Sequence, residues 1–128
     1  MLEVIDYTEI AAELLRQPIP AKQQGKAVLI RFSEQFWFVM APLEFCRLHA
    51  DIVRRFFELR QIRTVQRHNR IEASIEEWHV LGGCCYTRDA ETTNFHGNSD
   101  AYGAMRLDED LRSQLAKEFD QQNFVLEF

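Results

Sequence analysis

Apolar residues along this chain follow two different periods, and the change from one to the other sets out its elements. Lys26-Ala27-Val28-Leu29-Ile30-Arg31-Phe32 is a compact run of strand-forming residues and predicts a buried strand with Lys26 at its mouth. Ser33-Glu34-Gln35 reads as a turn, and the aromatic Phe36-Trp37-Phe38-Val39-Met40 as a second strand or a hydrophobic connection. A helical period begins at Pro42, a residue suited to a first helical turn. Leu43, Cys46, Ala50, Val53 and Phe57 fall on one face, which predicts a long helix to Leu59 with His49 beside the apolar stripe.

Upstream, Thr8 can cap a short helix carrying Ile10, Ala11, Leu14 and Leu15, and Pro18 and Pro20 stop it, so residues 1–25 read as a leading arm with a short helix. Downstream, Gln61 to Ile75 alternates apolar and polar residues and fits a strand or hairpin around His68-Asn69. Trp78, Val80 and Leu81 lead through Gly82-Gly83 into Cys84-Cys85-Tyr86-Thr87, a strand with a glycine bulge. Arg88 to Glu91 reads as a hairpin turn and Thr92 to His96 as the returning strand. Asp108 can then cap a helix bearing Leu111, Leu115 and Phe119, and Phe124 to Phe128 closes as a strand. The order predicts one α/β (α+β) domain over residues 1–128, a mixed β-sheet flanked by two principal helices.

Composition narrows the function classes. With 128 residues, 46% hydrophobic content, ten Phe and two Trp, a single domain can build its core without disulfide staples. A net charge of −5 argues against broad attraction to nucleic acid or an anionic membrane. No apolar run approaches a membrane span and the first residues lack signal-peptide character, so a cytoplasmic protein is expected. Cys46, Cys84 and Cys85 are odd in number and read as reduced thiols.

Candidate chemistry gathers at Gly97-Asn98-Ser99-Asp100-Ala101-Tyr102-Gly103. Glycines, Asn, Ser and Asp at this density let the backbone turn sharply and aim N–H groups and a hydroxyl at one point, a concavity suited to an anion and equally the composition of an ordinary turn. Among the four histidines, His68 and His79 read as solvated or structural, and His96 can touch a ligand or point to solvent. His49 is the strongest proton-transfer candidate, since its side chain titrates near neutrality. Asp51 is too close in sequence to face it on a regular helix, so no local Ser-His-Asp triad is visible. Neither Cys84 nor Cys85 is followed at the right distance by the arginine that a cysteine-type phosphatase needs. Zinc on Cys84, Cys85 and His79 is disfavoured because adjacent strand residues point to opposite faces.

Four pieces in order, Lys26-Ala27-Val28-Leu29-Ile30-Arg31, Leu48-His49-Ala50-Asp51-Ile52, Leu81-Gly82-Gly83 and the Gly97 to Gly103 stretch, resemble the small protein phosphohistidine phosphatases and their Janus relatives. The resemblance covers most of the chain from Lys26 onward. It implies a compact α/β domain, His49 as the catalytic residue, Lys26 near the phosphate, and phosphate contacts from Ser99 and the backbone of Asp100 and Ala101. It implies no metal or other cofactor, and a phosphorylated protein or peptide as substrate. One departure is clear: after the double glycine those phosphatases carry an arginine, and this chain has Cys84-Cys85, with Arg31, Arg88 or His96 as the cations that could replace it. A metal-independent phosphoamidate phosphatase is therefore the leading expectation, and a noncatalytic phosphate- or phosphoprotein-binding regulatory module the alternative.

Overall fold

The computed structural model describes residues 1–119 and 123–128. In chain order it contains β1 (Leu2–Asp6), α1 (Thr8–Leu15), β2 (Gln23–Phe32), β3 (Gln35–Pro42), α2 (His49–Leu59), β4 (Thr64–Arg67), β5 (Arg70–Ala73), β6 (Trp78–Arg88), β7 (Thr92–His96), α3 (Glu109–Glu118) and β8 (Asn123–Glu127). Six strands form one mixed sheet in the order β1-β3-β2-β6-β7-β8, and β4 and β5 form a separate two-stranded ribbon. The four central strands pair antiparallel, while β1 joins β3 and β8 joins β7 in parallel at the two edges.

Strand alternation divides the sheet into two apolar faces. Ala27, Leu29, Phe38, Met40, Cys84, Tyr86 and Phe95 pack against Leu111, Leu115 and Phe119 of α3 and its C-terminal end. Val28, Ile30, Val39 and Ala41 pack on the other side against Ile52, Val53, Phe56 and Phe57 of α2, with Ile71 of the ribbon and Tyr102 completing that layer. The protein is thus a single α+β domain with a helix on each face of its sheet.

Local chemistry explains where elements start and stop. Asp108 accepts the Leu111 N–H at 2.8 Å and starts α3, as its position in the sequence predicts. His68, at φ 58°, makes the turn of the ribbon. The register of β2 and β6 shifts opposite Leu29 and Ile30, a bulge adjoining the double glycine.

Three expectations are corrected. Pro42 ends β3 instead of starting a helix, and α2 begins seven residues later at His49, where Asp51 Oδ2 accepts the Leu48 N–H at 2.9 Å. Thr8 does not cap α1 but is its first residue, with Asp6 Oδ1 accepting both its N–H at 3.0 Å and its hydroxyl at 2.6 Å. Of the α1 stripe only Ala11 is buried, with Leu14 61% exposed. The first 25 residues also carry β1 and the start of β2, so this segment is built into the sheet.

Candidate functional site

His49 occupies the first turn of α2, only 6% exposed, with its ring laid against β6. A carbonyl can only accept, so the 2.8 Å contact between Nε2 and the Cys84 oxygen places the ring proton on Nε2 and leaves the Nδ1 lone pair unprotonated in the neutral ring. Burial pushes the His49 pKa below its ordinary value; the Cys84 hydrogen bond opposes this, Lys26 adds to the lowering, and Asp100 opposes it. The result is a neutral imidazole at neutral pH. Lys26 and Asp100 are close enough to act on it electrostatically, which brings three of the sequence-predicted site residues into one region.

The double glycine has a steric explanation. A Cβ on Gly83 would lie 2.6 Å from His49 Cδ2 and 3.0 Å from the Ala27 carbonyl oxygen, so only glycine lets the ring reach the Cys84 carbonyl. A Cβ on Gly82 would meet the Ala104 carbonyl oxygen at 2.4 Å, where the chain leaves the Gly97 to Gly103 stretch. Gly83 also donates its N–H to the Gly103 oxygen at 3.1 Å, which docks that stretch beside His49.

Within the loop, Ser99 and Gly103 exchange backbone hydrogen bonds at 3.1 and 2.8 Å, and the Tyr102 N–H donates to Ser99 Oγ at 3.1 Å. Ser99 is buried, and accepting from Tyr102 leaves its hydroxyl proton free to donate. Among the described residues no acceptor takes the N–H of Asp100 or Ala101, so both remain available to an anion. Tyr102 fixes the far side: its hydroxyl accepts from the Ile71 N–H and donates to the Ile71 oxygen, each at 2.8 Å.

Register identifies which other side chains share this face. Ala41, Lys26, Cys85, His96 and Glu127 pair successively across β3, β2, β6, β7 and β8 and so form one row. Ala41 belongs to the layer under α2, so the row lies on the His49 side of the sheet. Of Arg31, Arg88 and His96, only His96 is in this row. Arg31 and Arg88 alternate onto the opposite face with Leu29 and Tyr86, and Arg88 is held by Asp6 at 2.7 Å. Cys84 faces the α3 side, fully buried, and Cys85 the site side, half-buried, as their adjacency predicts. Burial pushes the Cys84 thiol up to about 12.

Sequence reasoning missed two parts of this arrangement, the steric role of Gly83 and the Tyr102 clamp on the ribbon. Alternation along each strand puts Lys26 on the face of Val28 and His96 on the face opposite Phe95, which is the same side of the sheet. An apolar cavity of about 330 Å³ between α1 and Pro18-Ile19-Pro20 lies elsewhere and holds no histidine, lysine or cysteine. No protein-family model matches the chain, and no curated protein is found to be similar to it.

Proposed function

We propose that this protein is a metal-independent phosphoamidate phosphatase of the phosphohistidine type. The observation that carries the reading is His49 itself: a buried, neutral imidazole whose Nε2 proton is fixed on a carbonyl and whose Nδ1 is unprotonated, beside a loop with two unused backbone donors. The Lys26 ammonium, the Ser99 hydroxyl and the N–H groups of Asp100 and Ala101 hold the phosphoryl oxygens and stabilise their charge in transfer. His49 Nδ1 then removes a proton from a water that attacks phosphorus as the P–N bond breaks. Alternatively, Nδ1 attacks phosphorus itself, and water hydrolyses the resulting phosphohistidine. In either route the departing nitrogen takes up a proton.

The second reading is a phosphate- or phosphoprotein-binding regulatory module. The half-buried Cys85 favours it, because a thiol faces the site in the stretch where the resembled phosphatases carry a forked cation. Phosphate or vanadate should raise the melting temperature under both readings and leave it unchanged for a domain with no anion site. Metal-free release of phosphate from a phosphohistidine peptide separates the two, with no release by a chain that binds phosphate favouring the module.

A further inference from the structure

Charge is unevenly placed along this chain. Residues 47–70 carry seven arginines against Asp51 and Glu58, a net +5 within a protein whose total is −5. Most of this segment is α2 and the β4–β5 ribbon, which pack against each other, so the charge is concentrated around one helix and its ribbon. Two of the arginines are committed to aromatic rings: Arg55 lies 4.1 Å from the Phe45 centroid and Arg60 3.8 Å from that of Phe56. Arg47, Arg54 and Arg63 are exposed and form no salt bridge among the described residues. Arg67 and Arg70 share a single carboxylate, Glu72, at 3.6 and 3.3 Å.

This surface adjoins the candidate site. The Arg70 guanidinium lies 5.1 Å from the Tyr102 ring centroid, and Arg70 and Arg54 both oppose the rise that burial gives the Tyr102 pKa. Tyr102 directly follows Asp100 and Ala101, and Arg47 stands two residues before His49. Guanidinium forks match carboxylates, and a surface on which arginines outnumber their neighbours Glu72 and Glu76 steers an oppositely charged partner. The neighbouring rings of Phe56 and Tyr102 are buried, so bases find no stacking platform on them, which favours carboxylates over nucleic acid.

We propose that the face formed by Arg47, Arg54, Arg63, Arg67 and Arg70 docks an acidic segment of the phosphorylated protein whose phosphoryl group lies at His49. The phosphorylated state of the partner rests on the function proposed above; the charge complementarity is tested without it. Fluorescence anisotropy of an unphosphorylated Asp/Glu-rich peptide and a length-matched neutral peptide is measured with the native chain and with Arg54→Glu/Arg67→Glu. The acidic peptide should bind the native chain about tenfold or more tighter than the neutral one, weaken as salt rises, and lose that preference in the variant. Equal affinity for the two peptides, or an unchanged preference in the variant, overturns the proposal. So does tighter binding of a single-stranded oligonucleotide, or of anionic vesicles, than of the acidic peptide. Hydrolysis of phosphoramidate, which has no acidic segment to dock, should be the same in native chain and variant, which separates loss of docking from loss of the site. A native chain inactive on phosphoramidate would count against the phosphatase reading alone, with the peptide comparison still deciding this one.

Discussion

Gly83 makes the room that His49 occupies, and a methyl group there would press on the ring and on the Ala27 carbonyl together. Gly83→Ala should therefore cost about 1–3 kcal/mol in urea unfolding, the usual range for overpacking, and displace His49 with loss of phosphoamidate turnover. Titration of His49 gives a second test. Because its folded pKa is lowered, the folded chain binds fewer protons than the unfolded one once pH falls below about 6.5, the unfolded value. The stability contributed by the neutral ring is complete above that pH and is lost as pH falls toward the folded pKa. His49→Gln, which keeps a donor for the Cys84 carbonyl, should flatten that part of the stability profile, and an identical profile in the variant would contradict the burial argument. At this scale the sequence shows residue types and spacing: His49, Lys26 and Ser99 could be named from it. The contact between Gly83 and the His49 ring could not, because it joins residues 34 positions apart through the packing of α2 on β6.

Tyr102 couples two elements that the sequence leaves unrelated, the anion-prone loop and the β4–β5 ribbon. Tyr102→Phe would orphan the N–H and the oxygen of Ile71, two buried groups that each now have a partner, and should cost about 1–3 kcal/mol with faster hydrogen exchange at Ile71. Unchanged exchange there would mean that the ribbon is held by apolar packing alone. Elements with local signals were legible: the hairpin at His68-Asn69, the Asp108 cap and the strand Thr92–His96 all stand where pattern and turn chemistry put them. The start of α2 was not, because Pro42 suits both a first helical turn and the end of a strand, and its pairing with Gly25 decides between them. β1 was missed for a similar reason: it is short, and only its parallel partner β3 makes it a strand.

Across the whole molecule, burial holds the Cys46 and Cys84 thiols protonated, at about 11 and about 12. The unfolded chain releases those protons above about pH 8.5, so stability should fall as pH rises beyond that value, and Cys84→Ala should reduce the slope in alkaline urea titrations. The sheet gives the candidate site its setting: Lys26, Cys85 and His96 come from three strands and His49 from the helix above them, so that grouping exists only in the assembled domain. The most direct measurement is phosphate release from a phosphohistidine peptide without added metal, comparing the native chain with His49→Ala and Ser99→Ala. The account predicts turnover by the native chain, reduced by at least about a hundredfold in His49→Ala, the scale of a lost general base, and lowered in Ser99→Ala. No release by the native chain, or release undiminished in His49→Ala, would contradict it.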